Sequence, residues 1–366
     1  MPQLKRLHLE NYRSIQNADI EFGRLNVLIG ANGSGKSNLI SFFKMMNEMI
    51  GGRLQQYIAT TGRAQSILHF GPKVSSNVDA IVDFESNEVT YSYAMALLYS
   101  IGDTLLIARE VVTKVQSSFA FSSNLVEAGL HLESTLRHPS QRNIAGKTDL
   151  CSLMEACRVF HFHDTTPTAR IRQYCFLGDN HSLLPDAANL AAMLLRFRNR
   201  NEKVYYRIVK AVQLVAPYFD DFVLEPSAQK DLLLNWRQRG TDLTFGPHQL
   251  SDGTLRAICL ISLLLQPVED LPLVIIVDEP ELGLHPYALN VIASLFKAAS
   301  EHVQVIISTQ SSTFLDHFDP DDVIVVDQRD GKSTFHRPGA EKLDAWLEEY
   351  SLGEIWEKNV IGGGPH

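Results

Sequence analysis

A chain of 366 residues, 45% hydrophobic and 20% charged, has the composition of a globular protein and enough surface to bury for one large or two ordinary domains. Its formal net charge of −9 excludes a wholly basic nucleic-acid binder and leaves room only for a local basic patch. Cys151, Cys157, Cys175 and Cys259 form no C-x-x-C pair, which argues against a disulfide frame or a zinc site. The N-terminus lacks the apolar core of a signal peptide, and the longest apolar run, Ala257 to Leu265, is too short to span a bilayer. A cytoplasmic protein without a membrane partner is expected.

Residues 4–29 read as three strands. Leu7 and Leu9 alternate with His8 and Glu10, so the first strand has one buried face. Ala18 to Phe22 follows, Gly23-Arg24 turns the chain, and Leu25-Asn26-Val27-Leu28-Ile29 is an apolar run of strand length. That run enters Gly30-Ala31-Asn32-Gly33-Ser34-Gly35-Lys36-Ser37 and then a predicted helix to about Glu48. Strand, glycine loop and helix in this order are what a phosphate-binding loop requires. Glycines let backbone N–H groups turn inward around phosphate oxygens, and the helix N-terminus adds partial positive charge. Lys36 is placed to reach the β- and γ-phosphates of a nucleoside triphosphate, and the Ser37 hydroxyl to ligate Mg²⁺.

Residues 53–77 read as loop. Val78 to Phe84, Val89 to Ala94 and Leu105 to Val112 read as strands of an antiparallel sheet. Most of 117–149, with Arg137-His138-Pro139-Ser140-Gln141-Arg142, reads as irregular. Ser152 to Phe162 fits helix or strand. His161 and His163 would share one strand face, but without a third ligand at suitable spacing they are expected to be structural. Residues 186–216 have helical spacing with a basic face. Within 196–210, Arg196, Arg198, Arg200, Lys203, Arg207 and Lys210 face the single acid Glu202, a local charge of +5. Such a face is either solvated or a contact for a phosphate backbone.

Chemistry returns after residue 245. His248-Gln249-Leu250-Ser251-Asp252-Gly253-Thr254 precedes an apolar helix, and Leu273 to Val277 is a continuous apolar strand ending in Asp278-Glu279-Pro280. A helix over about 286–300 leads to a strand at Val303 to Ile307, and Val323 to Asp327 repeats the pattern. Asp316, Asp319, Asp321 and Asp322 read as turn formers and solubilising charge. At a strand end Asp278 would share Mg²⁺ with Ser37, and Glu279 would accept a proton from an attacking water.

The order of these parts, closing with Ser308-Thr309-Gln310 after a strand, resembles an ABC-type ATPase head. Within that class it is similar to the recombination-protein-F, SMC and OLD group of AAA-family ATPases. Asn11-Tyr12-Arg13-Ser14 resembles the group's N-F-R-S element, whose arginine lies near the nucleotide. Leu250-Ser251-Asp252-Gly253-Thr254 is similar to the LSGGQ signature, and Pro280-Glu281-Leu282-Gly283-Leu284-His285-Pro286 to the EPE-x-x-LHP form. His161-Phe162-His163-Asp164-Thr165 looks like a segment of stand-alone members.

The resemblance implies an α/β P-loop fold with an antiparallel β lobe and an inserted helical subdomain. Residues 1–94 and 245–340 would be the ATPase core, 95–244 the inserted lobe and 341–366 a C-terminal extension. It implies ATP and Mg²⁺. Catalysis would fall to Glu279, Lys36 and Gln310, and metal binding to Ser37 and Asp278. Nucleotide contacts would come from Arg13, Asn32, Gly33, Ser34, Gly35, Lys36, Ser37 and Asn38, with Ser251 and Gly253 reaching the nucleotide of a second subunit. The implied function is an ATP-dependent homodimeric switch in DNA repair or antiviral defence, with DNA and a separately encoded nuclease or other effector as candidate partners. The alternative is a regulatory or scaffolding ATPase that senses a protein without nucleic acid. The long insertion, the Asp-Glu-Pro-Glu form and the absence of a switch histidine disfavour a transporter subunit. Gln310 stands where the switch histidine is usual, and Asp252 where the signature has its second glycine. An acid there is unfavourable beside a γ-phosphate unless it points away. For the Q-loop glutamine, Gln65 and Gln173 are the candidates.

Overall fold

The computed structural model describes residues 2–116, 119–124, 129–137 and 146–364. β1 (Gln3–Tyr12) and β2 (Ile15–Glu21) form a hairpin. Leu7 and Leu9 of β1 are fully buried while His8 and Glu10 stay partly exposed. β3 (Leu25–Ile29), buried at all five positions, then leaves for another sheet and leads into α1 (Lys36–Ile50).

The loop expected over 53–77 is partly helical. α2 (Leu54–Thr60) buries Leu54, Tyr57 and Ile58 at helical spacing, and its first N–H groups, of Leu54 and Gln55, donate to the Glu133 carboxylate at 2.7 and 3.0 Å. β4 (Asn77–Ser86), β5 (Val89–Ser100), β6 (Thr104–Gln116) and β7 (Phe119–Asn124) extend the hairpin into an antiparallel sheet of order β2-β1-β4-β5-β6-β7. β7 and the start of α3 (Lys147–Glu155) take up part of the stretch expected to be irregular; His138 to Arg142 lie outside the described residues.

β8 (Cys157–Phe160) settles the helix-or-strand question in 152–162: the stretch begins in α3 and continues as a strand. β9 (Cys175–Phe176), α4 (Leu190–Arg200) and α5 (Glu202–Val215) follow, the two helices separated at Asn201, whose side chain caps α5. Next come β10 (Phe219–Val223), β11 (Asp231–Leu232), β12 (Asn235–Gln238) and β13 (Thr244–Phe245). β10, β12 and β13 make a small antiparallel sheet, and β11 pairs with β9. α6 (Asp252–Leu264), β14 (Val274–Asp278), α7 (Pro286–Ser300), β15 (Gln304–Thr309), α8 (Ser312–Leu315), β16 (Val323–Arg329), β17 (Lys332–His336), α9 (Ala340–Leu347) and α10 (Leu352–Glu357) complete the chain.

The second six-stranded sheet has the order β17-β16-β3-β15-β14-β8, parallel except for β17 at its edge. The apolar centres of β14 and β15, Val274 to Val277 and Val305 to Ile307, are buried because both faces are covered, and the buried Asn26 of β3 donates to the Gly23 and Val305 carbonyls. Successive residues of a strand point to opposite faces, so Val27, Ile29, Ile275 and Val277 enter one core, under α4 to α7. Leu28, Val274 and Ile276 enter the other, shared with α1 and the antiparallel lobe. Position 94/95 lies inside β5, and β8, within 95–244, completes the core sheet. Parallel strands bring the segments that follow β3, β15, β14 and β8 to one end of the sheet, the end at which open α/β folds hold ligands.

Candidate nucleotide-binding site

After β3 the chain must turn sharply, and Gly33 and Gly35 do so with φ of 80° and 114°, a region that favours glycine. A Cβ on Gly35 would overlap the Ser333 hydroxyl, and one on Gly30 the Val326 carbonyl. Lys36, 4% exposed, donates to the carbonyls of Gly30 (2.6 Å) and Ala31 (3.1 Å). Burial lowers its pKa, while Glu279, Asp278 and Glu281 oppose that shift. The buried Ser34 hydroxyl has no partner among the described residues. Glycines packed too closely for side chains and an orphaned hydroxyl fit a phosphate cradle. Asn32, Gly33 and Ser37 are open to solvent, and Ala31, Asn32, Ser34 and Gln310 line a cleft of ≈ 820 Å³.

The turn after β1 is fastened to this loop. Ser14 Oγ accepts from Asn38 Nδ2 at 2.6 Å and lies 2.7 Å from Ser333 Oγ, which donates to the Ser34 carbonyl at 2.6 Å. Arg13, at φ 51°, places its guanidinium over the Tyr12 ring at 5.7 Å and buries an Nε without a partner among the described residues.

At the end of β14 the Asp278 carboxylate accepts from the Ser308 hydroxyl of β15. Its backbone carbonyl accepts from His163 Nε2 at 2.7 Å. Glu279 has φ 42°, a conformation non-glycine residues adopt rarely and often at functional sites. Its N–H donates to the Ser308 carbonyl at 2.8 Å, and its carboxylate accepts from Gln310 Nε2 at 2.8 Å. Glu281 accepts from Thr309 Oγ1 at 2.5 Å and from the Gln310 backbone N–H at 3.2 Å. Burial raises its pKa, and those two hydrogen bonds oppose the rise. Lys36, Asp278, Glu279 and Gln310 thus come together. Among the described residues no group of three or more His, Cys, Asp or Glu side chains could hold a metal ion. The Ser37 hydroxyl and the Asp278 carboxylate are hard oxygen donors, which suit Mg²⁺ completed by water and phosphate.

Ser251 caps α6, accepting from the Thr254 N–H at 3.2 Å. A Cβ on Gly253 would overlap the Gly283 carbonyl, so the signature packs directly on the segment after β14. Asp252 points to Arg172, 2.8 Å from its Nη2. Arg172 is 4% exposed and also donates to the carbonyls of Thr165, Pro247 and Leu250. No described hydrogen bond or ion pair joins Ser251 or Gly253 to the P-loop of the same chain.

No described hydrogen bond joins either candidate Q-loop glutamine to Asp278. The Gln65 N–H bonds to Asp103 Oδ1, and Gln173 donates to the Pro167 carbonyl. Since β8 pairs with β14, the neighbouring place belongs to His161-Phe162-His163. His161 buries an Nε2 without a partner among the described residues, its pKa lowered by burial and by Lys44. His163 and Glu281 are site neighbours to which sequence reasoning gave no catalytic or binding role, the histidine being expected to be structural and the acid being read only as part of the EPE-x-x-LHP form. The available signals were the strand alternation of His161 and His163 and the second acid of Asp-Glu-Pro-Glu.

Residues 171–316 match a family model described as an AAA domain, putative AbiEii toxin, Type IV TA system. Residues 3–93 match a model described as an AAA ATPase domain. No curated protein matches the chain. Among solved structures, an Smc head bound to the C-winged helix domain of ScpA is 16% identical with a TM-score of 0.58, covering 93% of this chain and 98% of its own. An Smc head domain with an extended coiled coil, bound to the C-terminal domain of ScpA and derived from Pyrococcus furiosus, is 16% identical with a TM-score of 0.57, covering 95% and 99%. At that identity the likeness is one of fold. The fold is that of an ABC-type, SMC-like ATPase head, and two segments of the sequence match AAA-type models, one of them described as an ATPase domain. No helix among the described residues is long and apolar enough to cross a membrane.

Proposed function

We propose that the protein is an ATP-hydrolysing switch, two copies of which close around two nucleotides. The observation that carries this reading is the 2.8 Å contact of Gln310 Nε2 with the Glu279 carboxylate, beside a P-loop whose lysine feels Glu279, Asp278 and Glu281. The N–H groups of Gly33 to Ser37 cradle the phosphates of ATP, and Lys36 exchanges the Gly30 and Ala31 carbonyls for phosphate oxygens. The Ser37 hydroxyl and the Asp278 carboxylate would hold Mg²⁺, which when bound would neutralise charge on the phosphates. Glu279 takes the proton of the attacking water. The Gln310 amide, able to donate and accept, orients that carboxylate and water. Arg13 and Asn38, tied to the same loop, complete the nucleotide contacts.

Ser251 and Gly253 of one copy meet the nucleotide of the other, with the α6 N-terminus turned to the γ-phosphate. Asp252 does not oppose this, because Arg172 holds it aside. In this reading the switch works in the cytoplasm, in DNA repair or antiviral defence with a separate effector such as a nuclease, and α5 offers an exposed basic face to DNA. A second reading, a protein-sensing ATPase without nucleic acid, is supported by the two Smc heads above, each bound to a domain of ScpA.

Glu279→Gln tests the assignment. It keeps shape and hydrogen bonding but cannot take the proton, so ATP binding should persist while turnover falls about 100-fold or more. Lys36→Ala should weaken binding itself. Turnover of Glu279→Gln within a few-fold of wild type would remove Glu279 from this role.

A further inference from the structure

We propose that Glu281 is a positioning residue for hydrolysis, fixing Gln310 against the general base. The proposal rests on the ATPase reading above and adds a role for an acid outside the proton path.

Two acids grip one residue. Glu281 takes the backbone N–H of Gln310 at 3.2 Å, and Glu279 takes its side-chain amide at 2.8 Å. Glu281 also takes the Thr309 hydroxyl at 2.5 Å, and that oxygen in turn accepts from the Ser311 N–H at 3.0 Å. The end of β15 is therefore tied to the loop after β14 at two successive residues, Thr309 and Gln310, and Ser311 is held in turn to Thr309. The positive φ of Glu279 and the fixed φ of Pro280 turn the chain so that the side chains of Glu279 and Glu281 reach the same neighbour.

Turn closure alone does not call for a carboxylate. Glu281 buries its second oxygen, Oε2, without a partner among the described residues. A buried carboxylate with an unmatched oxygen costs stability. What the contact supplies is registry: a shift of the loop after β15 would carry the Gln310 amide off Glu279. Displacements near 1 Å from productive geometry are enough to slow chemistry by about 100-fold.

The test is steady-state ATP turnover with ATP affinity for wild type, Glu281→Ala, Glu281→Gln, Gln310→Ala and the double variant Glu281→Ala/Gln310→Ala. Glu281→Ala should lower kcat about tenfold or more while Kd for ATP changes less than about threefold, a loss confined to the transition state. Glu281→Gln keeps an oxygen for the same two donors and should stay within about threefold of wild-type kcat. If Glu281 acts through Gln310, the double variant should be no slower than the slower single variant, whereas independent roles multiply. Thr309→Val removes one of the two hydrogen bonds with little change of volume and should give a partial loss, which covers the case of an unfolded Glu281→Ala. Wild-type-like kcat in Glu281→Ala, multiplicative losses in the double variant, or a Gln variant as slow as the Ala variant would each overturn the proposal. Loss of turnover in Glu279→Gln alongside unchanged Glu281→Ala would overturn it alone. Absence of ATP turnover in the wild type would overturn the ATPase reading with it.

Discussion

Arg172 determines what an acid does at the start of the signature helix. Its buried guanidinium satisfies three carbonyls from two separate segments as well as Asp252. Replacing it with Met would strand those carbonyls and release the acid. Arg172→Met should cost about 2–4 kcal/mol by urea denaturation, the scale expected for breaking a buried charged network. A loss below about 0.5 kcal/mol, typical of surface substitutions, would mean that water replaces the guanidinium without penalty. Glu281 makes a prediction of opposite sign. Burial raises its folded pKa above the ordinary 4.5, so the native state binds this proton more tightly than the unfolded state. Stability therefore falls as pH rises from about 4.5 through the raised value, and the deficit is complete above it. Glu281→Gln should raise the urea midpoint at pH 7 and lose that advantage near pH 4. An equal difference at both values would show that the carboxylate carries no such cost.

At the scale of elements, β3, β14 and β15 were legible because burial on both faces leaves runs that are apolar apart from Asn26 and the polar strand ends. Lys36 and Ser37 were legible as candidates from the glycine loop that follows β3, and Asp278, Glu279 and Gln310 because each lies at or directly after the end of such a strand. α2 was not, since its first N–H groups are satisfied by Glu133, 79 residues from Leu54. For the same reason Arg172, 80 residues from Asp252, and His163, 115 from Asp278, could not be assigned to the site from local pattern. The basic face of 196–210 is smaller than its composition implies. Arg196 pairs with Asp270 at 2.5 Å and lies over Phe197, and Arg198 donates to the Leu224 carbonyl. Arg200, Lys203, Arg207 and Lys210 are the exposed remainder. If they meet a phosphate backbone, reversing Arg200, Lys203 and Arg207 should weaken duplex DNA binding equally across sequences and flatten its salt dependence. Wild-type DNA affinity in that triple variant would favour the protein-sensing reading.

At the scale of the molecule, the signature faces outward. Ser251 is exposed and Gly253 abuts Gly283, while Leu282 and Tyr287, in and just after that segment, are 40% and 53% exposed. Large apolar side chains left in solvent beside a helix N-terminus suit a face that a second copy covers. A closed dimer would place that helix N-terminus over the partner's P-loop, and nucleotide would be the glue. Light scattering of Glu279→Gln, with and without ATP, measures this most directly. The expected result is the mass of one chain without nucleotide, a mass near twice that with ATP, and loss of the shift when Ser251→Arg is added. A dimer that forms equally well without nucleotide, or that ignores Ser251→Arg, would contradict it.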